Sequence, residues 1–341
     1  MSLDYRDFYR RRRVLITGGL GFIGSNLARA LVDLDADVLL VDSLIQDYGG
    51  NPFNIAGIES RVRVNIADVR EASTMQALVR DREVIFNLAG QVSHIDSMRD
   101  PQTDLEINCR GQLTILEACR LRNPETKVVF AGTRQIYGRP DRLPVDESHL
   151  VRPTDVNGIN KAAGENYHLV YNNIFGIRAC SLRLTNVYGP RQLIRHNRQG
   201  FIGWFVRLAL EGREIQIYGD GSQVRDFVYV TDVADAFLRA GASDAVNGDV
   251  FNVGGREPTT HRDLVTMLIA AAGRGSMRFV EWPDDSKRID IGSFYTDSSK
   301  FERTAGWRPA VTLGAGLADT LDYYRERMDR YIDAAGGGPT S

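Results

Sequence analysis

A chain of 341 residues, 43% of them hydrophobic, is long enough to bury a large core and to form two domains or one elaborated α/β unit. A formal net charge of −2 excludes a global pull toward nucleic acid or anionic membrane, and no apolar stretch reaches spanning length. No signal-peptide pattern opens the chain, and Cys109, Cys119 and Cys180 lie in apolar segments without metal-ligand spacing. Buried free thiols, no bound metal and a cytoplasmic location are therefore expected.

The basic run Arg10 to Arg13 reads as a solvated flank of the first strand. That strand, Val14-Leu15-Ile16, runs into T-G-G-L-G-F-I-G from Thr17 to Gly24, and Ser25-Asn26-Leu27-Ala28 continues as a helix. Gly18, Gly21 and Gly24 let the backbone turn tightly and let a pyrophosphate approach N–H groups at the positive end of the helix. Phe22 and Ile23, inside the same turn, join the cofactor-contacting set. The next apolar run, Val38 to Val41, ends in Asp42, about twenty residues past the turn, where a carboxylate would bind an adenosine ribose. Its charge would repel a 2′-phosphate, so the expected cofactor is NAD rather than NADP.

Further strands are expected at 62–66, 84–88, 127–131 and 178–184, with helices in most gaps, the longest at 104–122 and 158–174. The alternation predicts an α/β fold, a Rossmann-type doubly wound parallel sheet with ligands at the carboxyl ends of its strands. After Asn186-Val187-Tyr188-Gly189-Pro190 the rhythm breaks into a loop rich in Arg, Gln and Asn. A helix near 200–211, a strand at 226–230, a helix at 232–241 and mixed segments follow, and a Gly-rich tail, 334–341, is expected to be flexible. The implied division is residues 1–185 plus about 222–255 for the cofactor, with a smaller mixed C-terminal substrate domain from about 186–221 plus 256–333.

At Lys161 the chain comes to resemble the extended short-chain dehydrogenase/reductases, specifically the NAD-dependent nucleotide-sugar epimerase/dehydratase family. The marks are the glycine turn, Asp68-Val69, Asn87-Leu88-Ala89-Gly90, Asn108, Thr133 within A-G-T-R-Q-I-Y-G, Lys161, Arg183 to Arg191, and Val224 to Val230 with Asp232. The resemblance implies that Asp68 and Val69 flank the adenine and that Leu88, Ala89, Gly90 and Asn108 belong to the cofactor site. It gives Lys161 the nicotinamide ribose hydroxyls, where its charge would lower the pKa of a neighbouring acid-base group. Thr133 would bond the reacting sugar hydroxyl, Asn186 the sugar or its phosphate, and Arg225 and Arg288 would clamp the diphosphate through fork-shaped contacts. The substrate implied is a UDP-, CDP- or dTDP-hexose, and the assembly a homodimer paired through helices 104–122 and 158–174.

One departure is chemical. The family places a catalytic tyrosine four positions before the lysine, and here that position is Asn157. A phenolate can take the proton of a sugar hydroxyl while NAD takes the hydride, whereas a carboxamide only bonds or orients. Tyr167 and Tyr171, six and ten residues beyond Lys161, read as packing residues. Three explanations stand open. His94, just beyond the fourth strand and tuned by Ser93 or Asp96, would be the base; or Lys161 would act neutral, or through a water held by Asn157 and Thr133; or the protein binds NAD and a nucleotide sugar without redox chemistry.

Arg134-Gln135 stands where the 4,6-dehydratases carry Asp-Glu and the decarboxylating members a glutamate. Epimerisation remains, most commonly at carbon 4. Gly200-Phe201-Ile202-Gly203-Trp204-Phe205 with Leu88 to Val92 also resembles the CDP-sugar 2-epimerases.

Overall fold

The computed structural model describes residues 5–45 and 48–332, with the backbone alone at 285 and 286; the tail 334–341 lies outside the described residues. Its strands are β1 (Arg13–Thr17), β2 (Asp37–Asp42), β3 (Val62–Ile66), β4 (Val84–Asn87), β5 (Lys127–Thr133) and β6 (Arg178–Leu184). There follow β7 (Asn186–Tyr188), β8 (Glu214–Tyr218), β9 (Val224–Tyr229), β10 (Val250–Val253), β11 (Pro258–Thr260) and β12 (Ser276–Val280). Seven of them form one parallel sheet in the order β3-β2-β1-β4-β5-β6-β10. The expected α/β, Rossmann-type doubly wound sheet is thus present, and its order reverses between β1 and β4.

Strands of a parallel sheet are covered on both faces, which is why β1, β4 and β5 read as continuous apolar runs. One face packs on helices Phe22–Asp33 and Val230–Ala242 through Leu27, Leu31, Val233 and Phe237. The other packs through Ile115, Leu116, Cys119 and Tyr171 on helices Gly111–Arg122 and Val156–Phe175. Asp155 caps the second of these by accepting the Gly158 N–H at 2.7 Å, and Gly176, at φ 72°, ends it. A smaller core joins helices Phe201–Leu210, His261–Ala272 and Leu313–Arg325 to β8 and β9. Asp232 ties the two parts, its backbone oxygen accepting the Trp307 indole N–H at 2.9 Å and its carboxylate the Val311 N–H at 3.0 Å.

Several expectations shift. The strand expected at 226–230 is β9, which pairs with β7 and β11 rather than entering the large sheet. The large sheet's edge is instead β10, four residues too short to give a periodic signal. The helix expected at 104–122 starts at Pro101 and widens into a π turn at Glu106–Arg110 before continuing to Arg122. All three cysteines are free, but Cys109 is only half-buried, its thiol facing the Tyr167 hydroxyl at 3.8 Å. No described helix is long and apolar enough to cross a membrane.

His168 is wholly buried on the helix Val156–Phe175, stacked on Phe130 with ring centroids 4.5 Å apart. Its Nδ1–H is spent on the Gly164 carbonyl at 2.7 Å and its Nε2 faces the Asn87 amide at 3.2 Å. Burial, with the nearby Lys161 charge, pushes its pKa down to about 4 from the ordinary 6.5. The unfolded imidazole takes its proton near pH 6.5 and the folded one only near pH 4, so its share of stability is full above the first value and lost on descending to the second. Urea unfolding across that window should lose ~3 kcal/mol on this account, and His168→Gln should flatten the slope. An unchanged slope would contradict the assignment.

Candidate active site

A cavity of about 530 Å³ lies at the carboxyl ends of the parallel strands, beside the reversal between β1 and β4. Gly18, Gly21, Phe22, Ile23 and Gly24 line one end, and the geometry there requires glycine. Gly18 is at φ +67°, where a Cβ would lie 3.1 Å from the Ala89 nitrogen, and a Cβ on Gly24 would overlap the Gly18 carbonyl oxygen. The helix start is therefore pressed onto the turn. Gly21 is its N-cap and no side chain caps it, which leaves first-turn N–H groups for an anion. That is a fit to a dinucleotide's pyrophosphate.

Asp42, at the end of β2, also lines the cavity, but its carboxylate is already engaged with the flanking loops. Oδ2 accepts the Leu20 N–H at 3.0 Å and Oδ1 the Leu44 N–H at 2.9 Å, while burial raises its pKa. Lone pairs remain on both oxygens for ribose hydroxyls. Asp68 and Val69 line the same end, with Asp68 held ionised by Arg70 at 2.5 Å. Leu88, Ala89 and Gly90 form the adjoining wall. A Cβ on Gly90 would come within 2.6 Å of the Lys161 Nζ and 2.8 Å of the Asn108 Oδ1. Asn108 itself is outside the lining, carried beneath Gly90 by the π turn, and its Oδ1 is buried without a partner.

The other end gathers Thr133, Asn157, Lys161, His94 and Asn186. Thr133 ends β5, its hydroxyl oxygen accepting the Gln135 N–H at 3.2 Å and keeping its own proton to donate. Lys161 is buried, its one hydrogen bond among the described residues going to the Ala131 carbonyl at 3.4 Å, and burial lowers its pKa to about 8. Asn157 is enclosed by protein acceptors. Its amide hydrogens are shared among the Gln91 backbone oxygen at 2.8 Å, Asp104 Oδ2 at 3.0 Å and Gln91 Oε1 at 3.2 Å. Asn108 and Asn160 donate to the same buried Asp104, so four amides and one carboxylate fill the ground behind the usual phenol position.

His94 begins a short helix, but neither expected neighbour orients it. Ser93 caps that helix by accepting the Asp96 N–H at 3.1 Å, and Asp96 pairs with Arg198 at 3.5 Å. Asp155 lies against the ring instead, Oδ2 2.9 Å from Nδ1, with Gln135 donating to the same oxygen at 2.8 Å. The His94 and Gln135 contacts hold the Asp155 pKa below its ordinary value against the opposing effect of burial. Asp155 was not singled out in the sequence; its reach to residue 94 is a tertiary fact.

The expected diphosphate clamp does not reach the cavity. Arg225 is buried beneath it, its guanidinium donating to the Gly292 carbonyl at 2.5 Å and the Val224 carbonyl at 2.9 Å, and pairing with Asp290 at 3.4 Å. Arg288 is exposed on the helix Asp284–Ile289 and outside the lining. Asn186 lines the cavity with its amide in use, accepting from Arg134 at 3.1 Å and donating to the Asp226 carbonyl at 2.9 Å. The cavity lining carries Arg134 instead, along with Lys161 and Arg198; Arg134 was read in the sequence only as the absence of a carboxylate.

Glycine turn, acidic strand end, Thr133 and Lys161 around one cleft define a dinucleotide-dependent dehydrogenase-like enzyme class. The model of the NAD dependent epimerase/dehydratase family matches residues 14–254. The chain is 34% identical over 323 residues to a UDP-glucose 4-epimerase from Mycolicibacterium smegmatis, covering 92% of this chain and 99% of that one. It is 29% identical over 336 residues to a CDP-paratose 2-epimerase from Salmonella typhi, covering 91% and 98%. The structure of a dTDP-glucose 4,6-dehydratase from Streptomyces venezuelae, solved with NAD bound, superposes with a TM-score of 0.84 at 30% identity, covering 93% and 98%. The chain belongs to the NAD-dependent epimerase/dehydratase family, as its motifs indicated, and NAD is its cofactor.

Calorimetry should find NAD bound more tightly than NADP. Asp42→Ala should narrow the difference, since the ribose contact and the repulsion of a 2′-phosphate vanish together. Equal or tighter NADP binding by the unaltered protein would contradict this.

Proposed function

We propose that this protein is an NAD-retaining epimerase of a nucleotide-diphosphate hexose, acting at carbon 4. The observation that carries the reading is the turn after Thr133. Arg134 and Gln135 occupy it, and Gln135 is committed to Asp155. Dehydration and decarboxylation would there lack the carboxylates that move their protons, which leaves oxidation and re-reduction of one carbon. Bound NAD supplies the acceptor that takes and returns the hydride. Thr133 bonds the reacting hydroxyl, and Lys161, with Asn108 beneath Gly90, holds the nicotinamide ribose. His94 accepts the proton in place of the missing phenol. With Nδ1 2.9 Å from the Asp155 carboxylate, Nε2 is the nitrogen assigned to take the proton.

A second reading, a 2-epimerase of CDP-sugars, is supported by Gly200, Phe201 and Ile202 in the cavity wall and by the Salmonella typhi relative. Incubating the protein with UDP-, CDP- and dTDP-hexoses without reductant and following the sugar by NMR separates the readings. Inversion at carbon 4 supports the first and inversion at carbon 2 the second. Binding without any isomer, keto sugar or NADH supports a non-catalytic NAD and nucleotide-sugar binder.

We further assign residues 1–185 plus about 222–255 to the cofactor, and about 186–221 plus 256–333 to the nucleotide sugar. The protein works as a cytoplasmic homodimer in carbohydrate biosynthesis. Support for the dimer is the apolar stripe of Ile159, Val170, Ile174 and Phe175, with Ile174 70% exposed, beside Leu121 of the neighbouring helix. Sedimentation should give a dimer, and Ile174→Glu a monomer. A monomeric unaltered protein would remove the assignment.

His94→Gln and Lys161→Ala should each lower kcat by about 10²–10⁴-fold. Asn157→Ala should cost less, and Asn157→Tyr should bring at most a partial gain, because the ring would displace the Gln91 and Asp104 contacts. Thr133→Val should lower turnover with binding largely kept. Full activity of both His94→Gln and Lys161→Ala, with Asn157→Ala inactive, would move the proton path to Asn157.

A further inference from the structure

Arg134 brings a positive charge into the reacting end of the cavity with no described carboxylate at ion-pair distance. Its guanidinium donates to two neutral oxygens, Asn186 Oδ1 at 3.1 Å and Gln135 Oε1 at 3.4 Å, and rests 5.4 Å from the Phe294 ring centre. The carboxylates around it act on it only from beyond ion-pair distance. Asp226 accepts the Thr296 hydroxyl at 2.7 Å and N–H at 3.1 Å through Oδ2, its Oδ1 being buried without a hydrogen-bond partner among the described residues; Asp290 pairs with Arg225, and Asp155 serves Gln135, Gly158 and His94. Burial and the neighbouring Arg225 charge push the Arg134 pKa down to about 10. In the same lining, next to Asn186 in sequence, the Thr185 hydroxyl is buried without a partner among the described residues. A cation with neutral partners and an orphaned hydroxyl in one lining make a site that an anionic acceptor would complete.

We propose that Arg134, with the Thr133 and Thr185 hydroxyls, is a carboxylate subsite, and that the sugar this enzyme takes is a hexuronate rather than a neutral hexose. The inference rests on the nucleotide-sugar reading above. Arg134 directly follows Thr133, the residue assigned to the reacting hydroxyl, so its charge stands beside the sugar ring. A hydroxymethyl group would leave the guanidinium with neutral hydrogen-bond partners and no described carboxylate at ion-pair distance. A carboxylate at that carbon accepts two parallel N–H bonds from the planar fork.

Calorimetry on the NAD-loaded protein with UDP-glucuronate and UDP-glucose tests the subsite apart from turnover. The uronate should bind about 10- to 100-fold more tightly. Arg134→Gln should erase that preference while leaving UDP-glucose affinity in place, and Arg134→Lys, which keeps the charge without the fork, should restore part of it. Thermal melting with and without NAD confirms that both variants fold. Equal affinity for the two sugars overturns the proposal, as does an Arg134→Gln variant that loses both sugars alike, which would place Arg134 on the diphosphate. Neither of those outcomes touches the epimerase reading, which stands on isomerisation. If the unaltered protein binds neither of these sugars and none of the UDP-, CDP- and dTDP-hexoses above, the nucleotide-sugar reading fails and the subsite with it.

Discussion

The reacting half of the cleft is organised around one buried carboxylate. Asp155 caps the helix that carries Asn157 and Lys161, accepts the amide of Gln135 in the turn after Thr133, and lies against His94 from the loop beyond β4. Three segments that are distant in sequence thus share one anion, and each supplies at least one candidate reacting group. A buried carboxylate is costly unless every lone pair finds a donor, so the three segments are fixed relative to one another by its need to be satisfied. Losing any one donor would loosen the others.

The chemistry follows from what that frame leaves unpaired. Lys161 and Arg134 are desolvated cations with neutral partners, and both have lowered pKa values for that reason. Arg225, by contrast, is tied to carbonyl oxygens and Asp290 and stabilises the floor beneath them. The Asn157 carboxamide turns inward, donating to Gln91 and to an Asp104 that also accepts from Asn108 and Asn160. In the mechanism proposed above, the base stands on the short helix that begins at His94 rather than on the helix that bears the lysine.

Much of the architecture was legible because parallel strands bury both faces and read as unbroken apolar runs. The six strands from Val14 to Leu184 were read to within one or two residues at nearly every end. Reading failed where the signal is short or shared. β10 has four residues and no alternation, and β9 looks like a strand without disclosing that it joins β7 and β11. The π turn at Glu106–Arg110 leaves no mark in the hydrophobic pattern, yet it is what sets Asn108 under Gly90.

The sequence by itself determined the fold class, the cofactor and the end of the sheet where both ligands meet. These depend on local requirements: glycines where a Cβ would strike a carbonyl, a carboxylate at a strand end, a threonine and a lysine at fixed motif positions. Only the tertiary structure decided which charged groups face the cleft. Arg225 and Arg134 look alike in a sequence, but one finds backbone carbonyls and the Asp290 carboxylate, and the other finds only side-chain amide oxygens among the described residues. Asp155 likewise becomes the partner of His94 only when β4, β5 and the long helix are brought together. Charges act through space and solvent exposure, and neither is written in the order of residues.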